Sequence, residues 1–111
     1  MSIIGKVFSL IVSAIKSRLQ GPMTKEQVER DLDAAAAANP EKLDWRHSIV
    51  DLLKLLKLPS DLETRKDLAE DLGYEGELDG SAEMNLWLIQ KTLQRVADHY
   101  VTVPGQTNEK K

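Results

Sequence analysis

The sequence predicts an all-α fold, in which a compact three-helix unit follows an amphipathic N-terminal helix and a weakly docked second helix. Apolar residues recur at intervals of three and four in five separate segments, which is the period of an α-helix. Proline, glycine and capping residues mark the ends of these segments, and no stretch shows the sustained alternation of a strand. The length of 111 residues, with 41% hydrophobic and 30% charged residues, indicates one soluble globular domain.

The first segment, Ser2 to Leu19, is predicted to form an amphipathic helix with a wide apolar face. Gln20-Gly21-Pro22 ends this helix, because glycine suits a helix end and proline cannot continue one. Only nine uncharged residues lie between Lys6 and Lys16, whereas a transmembrane helix needs about 20 apolar residues. We therefore assign residues 1–22 to a basic amphipathic helix that does not span a membrane.

The apolar face of this helix has two alternative partners. Cations opposite the apolar face, and no acidic residue before Glu26, favour an interfacial helix that docks on a membrane or a partner protein. Alternatively, the face packs on the rest of the chain, because a small core needs more cover. A signal peptide is disfavoured, since its charges would precede the apolar stretch rather than interrupt it. The candidate docking residues are Ile4, Val7, Phe8, Ile11 and Ile15.

A second helix is predicted to begin at Thr24, which forms a capping-box pattern with Gln27. The alanine run from Ala34 to Ala38 favours a helix but buries little apolar surface, and Asn39-Pro40 ends the helix. We expect residues 23–42 to form a weakly docked helix and a linker. The thin apolar stripe of this helix consists of Val28, Leu32, Ala35 and Ala36.

The compact unit, residues 43–101, is predicted to begin with two helices. The first starts near Asp44 as N-cap and ends at Pro59. Ser60 then opens an S-x-x-E capping box for the second helix. Gly73 is placed to end that helix as a left-handed C-terminal cap.

The last helix of the unit is predicted to run from near Ser81 towards Tyr100. Its apolar positions include Trp87. We expect Trp87 and Trp45 to lie in the core and to join the first and third helices of the unit, because each ring buries a large area. A polar tail, residues 102–111, is predicted to be disordered.

Charge and cysteine content exclude several functional classes. Residues 1–25 carry four basic residues and no acidic one, whereas residues 26–111 carry 11 basic and 18 acidic residues, a net charge of −7. The folded part therefore lacks the positive field that nucleic-acid binding requires. The absence of cysteine excludes disulfides, thiolate metal sites and cysteine nucleophiles.

Several motifs keep a specific order and spacing across the compact unit. They are Leu43-x-Trp45-Arg46-x-Ser48-Ile49-Val50-Asp51-Leu52, Leu55-Leu56-x-Leu58, Arg65-Lys66-x-Leu68-Ala69-x-x-Leu72-Gly73-Tyr74 and Met84-Asn85-x-Trp87-Leu88. On these residues, about half of the chain resembles an uncharacterised bacterial family known as domain of unknown function 3597. The resemblance implies an all-helical domain. It implies no activity, so no catalytic residue is carried over from the family.

A shorter stretch, Leu72-Gly73-Tyr74-x-Gly76-x-x-Asp79-Gly80, is similar to the loop that joins two helices in helical peptidoglycan-binding domains. In those domains a Phe-Gly-Pro-x-Thr stretch follows the loop. Here Ser81-Ala82-Glu83-Met84-Asn85 stands in its place. The resemblance implies a module that binds the cell wall.

The loop before the last helix contains the best candidate ligand residues, Tyr74, Asp79 and Asn85, which we expect to line one surface. An EF-hand is excluded, because Gly73 would occupy the third ligand position and Ala82 the twelfth. We predict no metal site and no cofactor.

No residue is predicted to be catalytic. His47 and Ser48 are adjacent in sequence, but adjacent helical residues point in different directions, and a nucleophile and its base must meet in space. The acidic residues around Arg65 and Lys66 are expected to form a solvated helix face.

These observations predict a non-enzymatic bacterial binding or interaction module. Its expected partner is an unknown protein or envelope component, or a membrane surface contacted by the N-terminal helix. The expected location is the cytoplasm, the periphery of the inner membrane, or the envelope. A first alternative is a peptidoglycan-associated module that uses the surface of residues 73–85. A second is a hydrolase with an unrecognised site, which is disfavoured because the ionisable groups form no constellation.

Overall fold

The computed structural model describes residues 6–19 and 21–101, and this part of the chain contains five α-helices and no strand. The predicted all-α fold class is confirmed. The predicted tail, residues 102–111, lies outside the described residues. The helices are α1 (Lys6–Lys16), α2 (Lys25–Ala38), α3 (Ile49–Leu55), α4 (Leu62–Leu72) and α5 (Ala82–Ala97).

A single hydrophobic core contains residues from all five helices. Helix α4 packs against both α1 and α5, while α3 packs against α5 and, less extensively, against α2. Helices α1 and α2 therefore share their core with residues 43–101. Each helix contributes an almost completely buried aliphatic side chain, namely Ile11, Leu32, Leu52, Leu68 and Leu88 in chain order.

Polar contacts hold both ends of α1 against the core. Near the start of the helix, the backbone N–H of Val7 donates to Asp71 Oδ2 on α4 over 3.1 Å. Just after its end, Arg18 Nη2 donates to the backbone oxygen of Leu55 over 3.0 Å. An anionic group at a helix N-terminus and a cation at a helix C-terminus both complement the helix dipole. The contacts of Asp71 and Arg18 therefore stabilise α1 and α3 as well as their packing.

Helix α3 begins later than predicted. Asp44 caps a turn, in which the N–H groups of His47 and Ser48 donate to its backbone oxygen, and the helix itself begins at Ile49. Ser48 is the N-cap, with its Oγ accepting from the N–H of Asp51 over 3.1 Å. Both residues are good N-caps. Capping by Ser48 is favoured because, with the helix starting at Ile49, Asp51 Oδ2 accepts from the Asp44 N–H over 2.8 Å. This bond stabilises the preceding turn.

Helix α4 is capped by Asp61 and not by Ser60. The carboxylate of Asp61 accepts both from the N–H of Thr64 and, over 2.7 Å, from its hydroxyl, and a negative charge is favoured at this helix end. The backbone oxygen of Ser60 accepts instead from Arg65 Nε over 3.1 Å. The predicted capping box at Ser60 is therefore wrong by one residue.

Three other helix ends agree with the sequence. Thr24 caps α2 and Ser81 caps α5, each through its side-chain oxygen, and Gly73 ends α4 with a φ of +87°. The amide of Gln27 bonds to Asp31 rather than reaching back to the start of α2, so only half of the predicted capping box forms. Helix α5 ends at Ala97, three residues before the predicted end.

Candidate functional site

The loop between α4 and α5 holds Tyr74 against Trp87. Their ring centroids lie 4.9 Å apart with a tilt of 48°, a geometry that aromatic pairs favour. A Cβ atom on Gly76 would lie 2.5 Å from Tyr74 Oη, so any other residue here would displace the ring. The Gly-Tyr-x-Gly motif therefore has a structural explanation, because Gly73 ends the helix and Gly76 accommodates the tyrosine. Trp87 is only partly buried, unlike Trp45, which is in the core.

Tyr74 and Asp79, two of the three predicted ligand residues, lie within one acidic surface. Burial raises the pKa of the Tyr74 hydroxyl, and the carboxylates of Glu83, Asp79 and Glu77 raise it further. Asp79 is exposed, and its Oδ1 accepts from the N–H of Ser81 over 3.0 Å. Hydrogen bonds from Ser81 lower the pKa of Asp79, which keeps this carboxylate charged.

Asn85, the third predicted ligand residue, joins α5 to α4. Its Oδ1 accepts from Arg65 Nη1 over 2.8 Å, and its Nδ2 donates to the backbone oxygen of Gly80 over 3.4 Å. Because both ends of the amide bind protein groups, a ligand would have to displace one of these bonds to reach Asn85.

His47 and Ser48 have separate partners. Nδ1 of His47 lies 3.1 Å from Asp44 Oδ1, with the side chain 77% exposed, whereas the hydroxyl of Ser48 caps α3. The imidazole of His99 packs against Phe8 with ring centroids 5.8 Å apart. In the described part of the chain, no group of three or more His, Cys, Asp or Glu residues is placed to hold a metal ion.

The predicted docking face of α1 lies mostly inside the protein. Val7, Ile11 and Ile15 are buried, and Phe8 is partly buried against the core, while Ile4 lies outside the described residues. These three buried side chains pack on the rest of the chain, which is the second of the two alternatives given for this face. None of the helices in the described ranges is both long and apolar enough to cross a membrane.

A groove of about 550 Å³, which we call the α2–α5 groove, lies between α2 and the C-terminal half of α5. Its volume is typical of ligand sites, which range from about 300 to 1,000 Å³. Its apolar lining comes from Trp45, Leu93, Ala97 and Tyr100, and its polar lining from Lys25, Glu29, Arg46, Gln90 and Gln94.

Asp33 fixes Trp45 and Arg46 against α2. Its Oδ1 accepts from Trp45 Nε1 over 3.1 Å and from Arg46 Nη1 over 2.7 Å, while Oδ2 accepts from Arg46 Nη2 over 3.3 Å. The hydrogen bond from Arg46 lowers the pKa of Asp33, and the bond from Trp45 lowers it further, against the opposing effect of burial. Arg46 also lies over the Trp45 ring, 4.3 Å from its centroid. Trp45, only 5% exposed, therefore offers little surface to a ligand.

The exposed wall of the groove carries two amides. Gln90 and Gln94 lie one turn apart on α5, both exposed. At the end of the groove, burial raises the pKa of the Tyr100 hydroxyl, and the carboxylates of Glu29 and Glu26 raise it further.

The sequence alone did not indicate this groove. Leu93, Ala97 and Tyr100 are apolar positions of the predicted last helix, and a helical apolar stripe does not distinguish a core from a groove. Two pairs of polar residues one helical turn apart, Glu29/Asp33 and Gln90/Gln94, could have indicated the groove. They do so only if α2 is known to face α5, and the local pattern does not contain that information.

Comparison with known proteins gives a family and a related structure. A family model described as "Domain of unknown function (DUF3597)" matches residues 7–104. The chain is also similar to the solution structure of a conserved unknown protein from Rhodopseudomonas palustris. The identity is 35% and the TM-score 0.64, over 88% of this chain and 95% of that one. No curated protein matches significantly.

Proposed function

The chain belongs to the DUF3597 family of unknown function, and from its geometry we propose that it is a small, non-enzymatic interaction module that binds a short peptide segment of a partner protein in the α2–α5 groove. The observation that carries the proposal is the pairing of an apolar floor with exposed amides in one groove. Leu93 and Ala97 offer contact to an apolar side chain, while Gln90 and Gln94 flank them.

The amides suit a peptide backbone. A glutamine side chain both donates and accepts hydrogen bonds, so two of them one turn apart match the N–H and C=O groups of a bound segment. Neither Gln90 nor Gln94 has a side-chain hydrogen bond to another described residue. The groove has room for two or three side chains of a peptide, and an apolar anchor would remove Leu93 and Ala97 from water.

The side chains that line the groove disfavour phosphate, sugar and base ligands. Arg46 is already paired with Asp33 at 2.7 Å, so the groove lacks a free arginine fork for phosphate. Stacking on a sugar or a base needs an open aromatic face, whereas Trp45 is buried beneath Arg46.

Membrane attachment through the apolar face of α1 is less favoured. It would require Val7, Ile11 and Ile15 to leave the core, and exposure of three such side chains costs about 5–9 kcal/mol. Binding of peptidoglycan by the loop surface is less favoured because Asn85 already binds Arg65 and Gly80. A hydrolase is less favoured because His47 and Ser48 have separate partners.

A displayed library of random peptides about twelve residues long, selected against the full chain, tests the proposal. The variant Ala97→Arg fills the groove from an exposed helical position. Ala34→Arg makes the same change at an exposed alanine of α2 that does not line the groove, and it serves as the control. We expect the selected peptides to bind the unmodified chain and Ala34→Arg equally, and Ala97→Arg at least about tenfold more weakly, a loss of about 1.4 kcal/mol.

Chemical-shift changes of the backbone amides and of the asparagine and glutamine side-chain amides, measured by nuclear magnetic resonance, locate the binding. Shifts centred on Gln90 and Gln94 would support the groove. Failure to select any peptide, equal binding by Ala97→Arg, or shifts centred on Tyr74 to Asn85 would each overturn it. Retention of the chain on purified cell wall, above a charge-matched control protein, would favour the peptidoglycan-associated alternative instead.

A further inference from the structure

We propose that Glu29 makes the α2–α5 groove selective for a peptide that carries a lysine or arginine next to its apolar anchor. This inference rests on the proposed peptide-binding function and names the chemistry of the partner. It follows from how the charges around the groove are paired.

Among the described residues that line the groove, Glu29 is the one acidic residue, and its charge is only weakly paired. Its nearest cation is Arg46, with Nη2 at 3.9 Å from Glu29 Oε1, too far for a strong hydrogen bond. Arg46 instead forms two shorter bonds to Asp33. One guanidinium therefore faces two carboxylates, and the charge of Glu29 is only partly compensated.

Lys25 does not neutralise Glu29 through a close contact. It lies four residues before Glu29 on α2 and lines the same groove, but the two residues form no ion pair in the described part of the chain. The side chain of Glu29 is 38% exposed, so a cation arriving from the groove can reach it.

Tyr100 supplies an aromatic ring to the groove that Glu29 lines. It lines the same groove and is close enough for Glu29 and Glu26 to affect its hydroxyl. A lysine or arginine in the partner would pair with Glu29 while its aliphatic stem and charge contact the ring, as cations commonly do with tyrosine. An acidic residue at the same position would meet Glu29 and Glu26 with like charge.

Two peptide libraries of about twelve residues test the inference, one with a fixed central Leu-Lys pair and the other with a fixed central Leu-Glu pair. Affinity is measured by fluorescence anisotropy for the full chain, Glu29→Gln and Glu29→Lys. The control is Glu70→Gln, which removes an exposed acid of α4 away from the groove.

We expect the unmodified chain and Glu70→Gln to favour the Leu-Lys peptides by about fivefold, the effect of one partly exposed ion pair. Glu29→Gln should remove the preference and Glu29→Lys should reverse it. Equal binding of both libraries by the unmodified chain would overturn the role of Glu29 while leaving the peptide groove intact. Failure of both libraries to bind would overturn the groove itself, and this inference with it.

Discussion

Asp33 is predicted to be the main polar contact that holds α2 in place. Helix α2 buries only Val28 and Leu32, whereas Asp33 accepts hydrogen bonds from both Trp45 and Arg46. We expect Asp33→Ala to destabilise the protein by about 2 kcal/mol. Asp33→Asn keeps one acceptor oxygen for the indole, and we expect it to cost about 1 kcal/mol or less.

The magnitude follows from the two partners. The indole N–H belongs to a residue only 5% exposed, and a buried donor without a partner costs about 1–3 kcal/mol. The ion pair contributes less, because the side chains of Arg46 and Asp33 are 42% and 51% exposed and such pairs give at most about 1 kcal/mol. For a chain of this size, a loss of 2 kcal/mol corresponds to a Tm lowered by about 10 °C.

Urea unfolding of a double-mutant cycle measures the contribution of the indole bond. Trp45→Phe removes the N–H donor, so Asp33→Ala should cost less than about 1 kcal/mol in that background. Asp31→Ala, also on α2, controls for the gain in helix propensity; it removes a bond from Gln27 within the same helix, which contributes about 0.2–0.5 kcal/mol. The reasoning would be refuted if Asp33→Ala were no more destabilising than Asp31→Ala, or if Trp45→Phe left its effect unchanged.

The same contact predicts a pH dependence with a definite sign. The folded-state pKa of Asp33 lies below its ordinary value, chiefly through the hydrogen bond from Arg46. The stability gained from the charged carboxylate is therefore fully present above the unfolded pKa of about 3.9. It is lost as the pH falls through the folded pKa. Asp33→Asn should be most destabilising near neutral pH and should approach the unmodified chain in stability in acid.

Three further substitutions test individual contacts. Asp71→Ala removes the acceptor of the Val7 N–H and should lower the free energy of unfolding by about 1 kcal/mol. Amide hydrogen exchange in α1 should become faster, whereas Glu70→Ala should leave that exchange unchanged. Lys57 has a φ of +62°, so Lys57→Gly should stabilise the chain by about 0.5–1 kcal/mol; an equal gain from Lys57→Ala would attribute the effect to charge instead. The buried hydroxyl of Thr92 has no hydrogen-bond partner among the described residues, so Thr92→Val should leave stability unchanged or raise it by up to about 1 kcal/mol, and a clear loss on thermal unfolding would contradict this.

Features that depend on contacts within one helical turn were predictable from the sequence. The caps at Thr24 and Ser81 and the helix end at Gly73 each involve groups at most four residues apart. The starts of α3 and α4 were misplaced, because two adequate caps lie close together in each case. Asp61 caps α4 because its carboxylate accepts from the hydroxyl of Thr64, while the backbone oxygen of Ser60 accepts from Arg65.

Features of the candidate sites depend on contacts that the local pattern does not contain. Asn85 was predicted to bind a ligand, whereas its amide binds Arg65. The local pattern could not show this bond, because Arg65 lies 20 residues away in the sequence. The α2–α5 groove was missed because its lining residues come from distant parts of the sequence, from Lys25 on α2 to Tyr100 after α5. An exposed polar residue and an internally bonded one have the same local signature, and only the fold distinguishes them.

The way α2 is held bears directly on how the groove would respond to a ligand. One wall of the groove belongs to α5, which shares the core extensively, and the other belongs to α2, which is docked through few apolar side chains and through Asp33. Local opening of a protein begins where buried apolar contacts are few. A peptide that contacts both Glu29 and Gln94 binds only when α2 is docked, so its binding must stabilise that docking by linkage. If the proposed function holds, the contact at Asp33 and the occupancy of the groove are therefore energetically coupled, although Asp33 itself does not line the groove.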